Sequence, residues 1–278
     1  MAGFLVRFCP RALAEGRPAL MGVVNVTPDS FSDGGAHDAP AAALAHASRL
    51  LAEGADLLDL GAESTRPGFE PVPADEELRR LLPALRAIRA AHPRAVLSVD
   101  TRKAAVAAAA LAAGADIVND VSAFADPAMA PLVAGAGAGA ILMNGFAEHA
   151  GERPRAAAAG TLGAWVLAGL REARGRAIAA GVDEAALCLD PGFGFGLKGL
   201  ENAEVLRALP GIVAGCAPCP VLAGASRKHF VCAAFPEAAG DRDRATVLFH
   251  AACVRAGAAI LRVHDVAAHR LPRGRALW

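Results

Sequence analysis

The segment MGVVNVTPDSFSDGG, residues 21–35, begins as an apolar run and ends in residues that cannot be buried. Its first five residues predict a buried β-strand over 21–25. Oxygen-bearing side chains then follow in quick succession, with a proline and two glycines among them: Thr27, Asp29, Ser30, Ser32 and Asp33. A buried strand that leads directly into a polar loop is informative about the fold because the same unit recurs along the chain.

Eight apolar runs have the length and the polar ending of buried strands. They cover residues 21–25, 56–62, 95–100, 116–120, 139–144, 186–190, 220–226 and 259–265. Between them lie amphipathic or alanine-rich segments that predict helices, such as 40–54, 74–92 and 102–114. Glycine is suited to end such helices, as at Gly54 and Gly114, because it tolerates the left-handed conformation.

This alternation predicts the fold class. Strands that are buried on both faces and alternate eight times with helices predict an α/β fold, a (β/α)8 TIM barrel with its active site at the C-terminal ends of the strands. A doubly wound open sheet is the alternative, although it rarely needs eight such units. A length of 278 residues is normal for a barrel, and no long polar linker divides the chain. We therefore expect one domain over residues 1–278.

Composition narrows the classes of partner. The chain has 28 basic and 28 acidic residues and no dense basic stretch, which argues against nucleic-acid binding. The longest uncharged stretch, 127–147, contains glycines and two prolines, so it predicts a short helix, a turn and a buried strand rather than a membrane span. No targeting segment is evident, and six scattered cysteines suit a reducing cytoplasm. The pair Cys216 and Cys219 fits chance spacing, with a redox role as the alternative.

Side chains at the C-terminal ends of barrel strands converge on one mouth, and nearly every predicted strand here ends on a charged or amide residue. These endings are Asn25, Glu63 to Arg66, Asp100, Asn119 and Asp120, Asn144, Asp190, Ser226 to Lys228, and Arg262 to His264. Turn chemistry explains one such residue. Eight endings of mixed acidic and basic type indicate a functional site instead.

One group of these endings suits a flat, nitrogen-rich heterocycle. A carboxylate can accept two parallel N–H bonds from an amidine-like edge, and charge-assisted hydrogen bonds are the strong ones. The donors and acceptors in this group are Asp100, Asn119, Asp190 and Lys228. In the glycine-spaced loop 190–196, which allows close backbone approach, the aromatic side chains able to flank a ring are Phe193 and Phe195.

A second group suits a polyanion such as pyrophosphate, because its members are cations or can become cations. They are Arg66, Arg262 and His264. Asn25 and the loop that holds Thr27 and Asp29 add hard oxygens, which usually hold a Mg²⁺ ion that already carries phosphate oxygens.

Several of these residues also have a structural interpretation. Asp100 or Asp190, taken alone, fits a helix cap equally well. Arg102 and Lys103 are expected on a solvated helix face. Arg227 is expected to stabilise the top of the barrel through a carboxylate rather than to bind a ligand.

Seven short motifs, in their order along the chain, resemble those of the dihydropteroate synthase family of pterin-binding enzymes. They are NVTPDSFSDGG at 25–35, ESTRPG at 63–68, SVDT at 98–101, NDV at 119–121, DPGFGFG at 190–196, SRK at 226–228 and RVHD at 262–265. The resemblance implies a transferase of folate biosynthesis that condenses 6-hydroxymethyl-7,8-dihydropterin pyrophosphate with p-aminobenzoate, giving 7,8-dihydropteroate and pyrophosphate. It also implies a homodimer.

The resemblance further implies a role for each matching position. The residues that would hold the pterin are Asp100, Asn119, Asp190 and Lys228. Asn25 would help to bind Mg²⁺, and Arg262 and His264 would hold the pyrophosphate.

The second substrate would lie under two loops. The loop with Thr65, Arg66 and Pro67 would close over the aminobenzoate together with the loop around Ser30 and Phe31. Phe195 would line that pocket. The residues on which catalysis would depend are Asp100, Asp190, Lys228 and Arg66.

Three positions depart from the usual pattern of the family. Asn144 replaces a histidine, Leu197 replaces a lysine, and His229 replaces a serine near the aminobenzoate carboxylate. These departures motivate an alternative, a paralogue that binds pterin without condensing it. Another alternative is a related barrel that binds methyltetrahydrofolate for methyl transfer, but such a barrel has no need of the Mg²⁺-binding loop at 25–33.

Overall fold

The computed structural model describes residues 3–27, 35–63, 72–144, 161–235, 238 and 240–270. The strands are β1 (Ala19–Asn25), β2 (Leu57–Gly61), β3 (Val96–Asp100), β4 (Ile117–Asp120), β5 (Gly139–Met143), β6 (Leu187–Asp190), β7 (Leu222–Ala223) and β8 (Ile260–Val263). The helices are α1 (Gly3–Phe8), α2 (Pro10–Ala14), α3 (Gly35–Glu53), α4 (Ala74–Ala91), α5 (Ala104–Ala112), α6 (Met129–Ala136), α7 (Thr161–Ala179), α8 (Glu201–Cys216), α9 (Phe230–Ala234), α10 (Arg242–Arg255) and α11 (Val266–His269).

The strands form one parallel sheet in the order β6-β5-β4-β3-β2-β1-β8-β7. A parallel bridge between Leu189 and Val221 joins β6 to β7, so the two ends of the sheet meet. Each of the eight predicted strands is present within two residues of its expected start. The predicted (β/α)8 barrel is confirmed.

Alternation along the strands separates the two faces of the barrel wall. On β2, Leu58 and Leu60 belong to the large apolar cluster that the outer helices cover, whereas Leu57 belongs to a second cluster inside the barrel. Because side chains along a strand alternate between faces, Asp59 and Gly61 also point inward. The inner face of the barrel is therefore apolar at one end of the strands and polar at the other.

Helices α1 and α2 close the apolar end. Phe4 and Phe8 are buried there in one cluster with inward residues from seven strands: Ala19, Met21, Leu57, Ile117, Ile141, Cys188, Leu222 and Ile260. Arg11 and Arg17 form ion pairs with Asp56 at 2.8 and 2.7 Å on the same end. With this end filled, the space for a ligand lies at the carboxyl ends of the strands.

The uncharged stretch 127–147 folds as predicted over its described part, residues 127–144. It contains helix α6, a left-handed Gly137 with φ of 60°, and strand β5. No helix in the described part of the chain combines the length and the apolar character needed to cross a bilayer.

The pair Cys216 and Cys219 is buried at the end of α8, and both thiols are free. Burial raises the pKa of each thiol to about 11. Since the thiolate is the reactive form in disulfide exchange, this environment favours chance spacing over the redox alternative.

A buried pair of histidines connects the end of β7 to helix α11. His250 Nε2 accepts a hydrogen bond from the main-chain N of Ala225 at 3.2 Å, and its Nδ1 lies 2.9 Å from Nε2 of His269. His269 Nδ1 in turn lies 2.7 Å from the main-chain O of Asp265. This sequence of donors and acceptors requires both rings to be neutral. Burial lowers the pKa of His250 well below its usual value, and it lowers the pKa of His269 in the same direction.

Acid is expected to destabilise the protein through this pair. The folded-state pKa lies below the unfolded-state value, so the unfolded chain binds more protons, and stability is lost as the pH falls below about 6.5. The loss reaches up to ~1.4 kcal/mol per pH unit for each histidine. Denaturant titrations from pH 7.5 to 5 measure it. His250→Gln keeps an acceptor for Ala225 and is expected to show a shallower slope; equal slopes in the two proteins would contradict this account.

Candidate active site

Strand register places three predicted site positions on one level of the mouth. Asn25 is paired in register with Gly61, Gly61 with Asp100, and Asp100 with Asn119. Register-paired residues of a parallel sheet share a face, and Asp100 and Asn119 contact other side chains inside the barrel. The structure thus brings Asn25, Asp100 and Asn119 together at the C-terminal ends of β1, β3 and β4.

An ion cluster crosses the barrel beneath this level. Arg262 extends from β8, and its Nε donates to Oδ2 of Asp59 at 2.6 Å while its Nη2 donates to Oδ2 of Asp100 at 2.7 Å. Asn119 Nδ2 donates to the same Oδ2 of Asp59 at 3.1 Å. The guanidinium predicted to hold pyrophosphate is therefore anchored on the floor of the mouth by two carboxylates.

Asp100 is positioned as an acceptor for a ligand. Its carboxyl is buried, and burial raises its pKa to about 7 although Arg262 acts in the opposite direction. Oδ2 is bonded to Arg262, whereas the buried Oδ1 has no hydrogen-bond partner in the described part of the chain. A buried acceptor without a partner is costly, so this oxygen is suited to accept an N–H from a bound molecule.

Asp190 and Lys228 form the opposite side of the mouth. Asp190 Oδ1 accepts a hydrogen bond from the main-chain N of Gly192 at 2.8 Å. Burial raises the pKa of Asp190, and this hydrogen bond and the Lys228 charge oppose the rise. Neither Asp190 nor Asp100 caps a helix: each carboxylate is bonded inside the mouth.

Lys228 lies along the glycine-spaced loop. Its Nζ donates to the main-chain O of Phe193 and lies 4.0 Å from the ring centroid of Phe195, a cation–π distance. Burial lowers the pKa of Lys228 to about 7, against the attraction of Asp190. The loop can approach this closely because a Cβ at Gly194 would lie only 2.6 Å from Lys228 Cδ.

Two inward glycines leave room beside the carboxylates. A Cβ at Gly61 would lie 3.5 Å from Cβ of Asp100, and a Cβ at Gly224 would lie 3.6 Å from Oδ2 of Asp190 and 4.0 Å from Cβ of Arg262. Any side chain at these positions would occupy the space next to the acceptors. Glycine at both positions leaves an opening that suits a flat ring.

The ends of β7 and β8 contact each other at Ser226 and His264. The main-chain N of His264 lies 3.1 Å from Ser226 Oγ, and Nδ1 of the ring lies 2.9 Å from the same atom. Arg227 points elsewhere: its Nε donates to Asp243 Oδ1 at 2.7 Å in an exposed ion pair. The structural interpretation of Arg227 is thereby confirmed.

Two of the three departures from the family pattern point away from the mouth. Asn144 is buried against α7, where a Cβ at Gly169 would lie 2.2 Å from its Oδ1. Leu197 is buried in the outer apolar cluster. His229 is exposed beside Lys228, with Nδ1 3.3 Å from Nη2 of Arg242.

The polar endings of the strands do not identify Asp59 as a site residue. Its carboxylate is fully buried in the middle of β2 and not at the end of the strand. The alternation of Leu57, Asp59 and Gly61 on one face of LLDLG is the signal that identifies it.

The expectation of a solvated Lys103 is wrong. Its Nζ lies 2.5 Å from Oε2 of the fully buried Glu77 and 3.0 Å from Oε1 of Glu63. Lys103 precedes α5 and compensates buried carboxylates, which the local sequence does not reveal. Among the predicted residues, those outside the described part of the chain are Asp29, Ser30, Phe31, Thr65, Arg66 and Pro67.

These observations define the class: a TIM barrel with an enzyme-like mouth, in which buried carboxylates, an amide and cations surround an opening suited to a flat nitrogen heterocycle. A family model described as "Pterin binding enzyme" matches residues 21–264. The chain belongs to this family of pterin-binding enzymes.

Relatives and solved structures agree on one kind of enzyme. Dihydropteroate synthase of Mycobacterium leprae is 44% identical over 261 residues, which are 90% of this chain and 89% of the relative. The structure of Xanthomonas albilineans dihydropteroate synthase with 4-aminobenzoic acid has a TM-score of 0.81 and 44% identity, covering 91% of this chain and 89% of the other. The structure of the same enzyme in complex with 7,8-dihydropteroate has a TM-score of 0.77 and 42% identity, with coverages of 91% and 90%.

Proposed function

We propose that the protein is a dihydropteroate synthase, which condenses 6-hydroxymethyl-7,8-dihydropterin pyrophosphate with p-aminobenzoate and releases pyrophosphate. The observation that supports this most is the set of buried acceptors and cations around one mouth, at positions that match the family motifs. They are Asp100, Asn119, Asp190, Lys228 and Arg262. Relatives that align with nearly the whole chain are named dihydropteroate synthase.

The pterin would be held by hydrogen bonds to the two sides of the mouth. Asp100 Oδ1 and the Asp190 carboxylate would accept N–H groups of the ring, and Asn119 and Lys228 would complete the contacts. The openings at Gly61 and Gly224 give the flat ring its space.

The reaction then needs charge stabilisation more than a strong base. The C–O bond to pyrophosphate breaks, and the pair of electrons leaves with the diphosphate, which Arg262 and His264 would bind. The resulting cation is delocalised into the pterin, where Asp100 and Asp190 would stabilise it. The arylamine attacks the methylene carbon and loses a proton. Positioning of the two substrates supplies much of the rate, which explains the lack of a nucleophile–base pair among the predicted residues.

Magnesium is part of this proposal. Among the described residues no group of three or more histidine, cysteine or acidic side chains could hold a metal ion by itself. Mg²⁺ keeps several waters and takes few protein ligands when it binds through substrate phosphates, so a single amide oxygen such as that of Asn25 fits this mode. Bound there, Mg²⁺ would neutralise charge on the leaving diphosphate.

The remaining assignments are proposed on the family resemblance. Thr65 and Arg66 would act in the loop over the aminobenzoate, Phe195 would line its pocket, and two copies of the chain would form a homodimer. A cytoplasmic location is proposed because all six cysteines are free.

Incubation with pterin pyrophosphate, p-aminobenzoate and Mg²⁺ tests the proposal. We expect equal amounts of dihydropteroate and pyrophosphate. Absence of both products from folded protein would overturn the synthase assignment. Calorimetric binding of pterin pyrophosphate without turnover would identify the pterin-binding paralogue instead.

A further inference from the structure

Asp59 is a charged side chain that the proposed reaction does not use, although it lies inside the catalytic barrel. Its exposure is 0%, and it occupies an inward position of β2 at the register level of Val23 and Ser98. Its Oδ1 has no hydrogen-bond partner in the described part of the chain. A buried carboxylate at this position costs stability, so its contacts indicate the function that it serves.

Both donors to Asp59 are residues of the mouth. Oδ2 accepts from Nε of Arg262 at 2.6 Å and from Nδ2 of Asn119 at 3.1 Å. Arg262 comes from β8 and Asn119 from β4, and neither strand is a neighbour of β2 in the sheet. The carboxylate therefore connects two ligand-facing side chains across the interior of the barrel.

The bond to Asn119 determines which end of the amide faces the ligand. A carboxylate in an ion pair accepts hydrogen bonds and cannot donate them, so Asn119 must turn its NH₂ group toward Asp59. Its Oδ1 is then presented as an acceptor. With the opposite orientation, Asn119 would turn its NH₂ group toward the ligand, so it would offer a donor in place of the acceptor. It would also lose the bond to Asp59.

The bond to Arg262 fixes the position of its guanidinium. Asp59 holds Nε and Asp100 holds Nη2, so the planar group has two anchors on different strands. Without Asp59 the guanidinium would be anchored by Asp100 alone and could move over the acceptor that Asp100 offers to the pterin.

We infer that Asp59 is a positioning residue for pterin recognition, which orients the Asn119 amide and holds the Arg262 guanidinium without touching the substrate. This inference rests on the proposed function, and it extends that function to a residue below the binding surface.

The test uses Asp59→Asn and Asp59→Leu in the full chain. Asp59→Asn removes the charge but keeps an oxygen acceptor, whereas Asp59→Leu removes both. We expect the KM for pterin pyrophosphate to rise about tenfold in Asp59→Leu and by a smaller factor in Asp59→Asn, the loss expected for one charge-assisted hydrogen bond. The KM for p-aminobenzoate is expected to stay unchanged in both variants.

Asp56→Asn is the matched control. Asp56 is also a buried aspartate bonded to two arginines, but it lies at the opposite end of the barrel. We expect its substitution to lower the melting temperature and leave both KM values unchanged. If Asp59 had only a structural role, its substitutions would likewise lower the melting temperature and leave both KM values unchanged. That outcome would overturn the inference.

Calorimetry with 6-hydroxymethylpterin, which lacks the diphosphate, separates this inference from the proposed function. If the wild-type protein binds this pterin but makes no dihydropteroate, the synthase assignment fails while Asp59 can still be tested by affinity. Weaker binding by Asp59→Leu, with a smaller loss of affinity in Asp59→Asn, supports positioning. Equal affinity in all three proteins contradicts it.

Discussion

Replacing Arg262 with alanine is expected to destabilise the fold by ~3–5 kcal/mol at neutral pH. The guanidinium is bonded to Asp59 and Asp100, whose exposures are 0% and 8%, so its removal leaves two buried carboxyl groups without their cation. Denaturant unfolding at pH 7 measures the change in the free energy of unfolding.

The pH dependence of this loss distinguishes electrostatics from packing. Burial already raises the pKa of Asp100 to about 7 while Arg262 is present, and removing the cation raises it further. A folded-state pKa above the unfolded value gives stability at low pH that is lost as the pH rises through the folded-state pKa. The difference between Arg262→Ala and the wild type is therefore expected to be larger at pH 8.5 than at pH 6.

Arg227→Ala is the control for Arg262→Ala. Its ion pair with Asp243 is exposed, with side-chain exposures of 48% and 49%, and exposed pairs contribute at most ~1 kcal/mol. If Arg262→Ala destabilised the protein no more than Arg227→Ala, the buried cluster would have no net stabilising role.

Asp190→Asn is expected to cost at least ~2 kcal/mol of transition-state stabilisation, or roughly 30-fold in kcat/KM. The main-chain N–H of Gly192 donates to Oδ1, so the amide oxygen must take that place and the NH₂ group must face the pterin. The substitution thus replaces an anionic acceptor with a neutral donor where the ligand offers N–H groups.

Steady-state kinetics with both substrates measure this effect, and Asp183→Asn is the control. Asp183 lies before β6 at the opposite end of the barrel, where its Oδ1 accepts from the main-chain N of Ala185. Asparagine can make the same bond, so the control is expected to keep kcat/KM. Activity of Asp190→Asn within a few-fold of the wild type would remove Asp190 from the pterin site.

The barrel and the location of its mouth could be predicted from local patterns. A buried strand needs an apolar run, and its end is marked by a polar residue that faces the mouth instead of the apolar core, as at Asn25, Asp100 and Asp190. Both signals involve only a few consecutive residues, so they can be recognised in the sequence alone. The helix ends at Gly54 and Gly114 are also predictable from neighbouring residues, because glycine readily adopts the positive φ angles of 109° and 101° found there.

The partners of these residues could not be predicted, because they depend on how strands are placed around the barrel. Arg262 is 203 residues from Asp59 and 162 from Asp100 in the sequence, and only closure of the sheet brings them together. Lys103 and Glu77 are only 26 residues apart, and their pairing depends on how helix α4 packs beside the start of α5. Side-chain direction at Asn144 is set by helix α7, which the strand pattern does not describe.

Local residue patterns are therefore enough to predict the eight strands, their parallel barrel and the chemical character of the mouth. Which charges neutralise each other, and the place of Asp59 beneath the site, follow only from the folded barrel. The two kinds of feature differ in the sequence separation of the interacting residues, because burial and turn formation depend on neighbours along the chain. Pairing of charges inside a closed barrel is decided by register and distance across it.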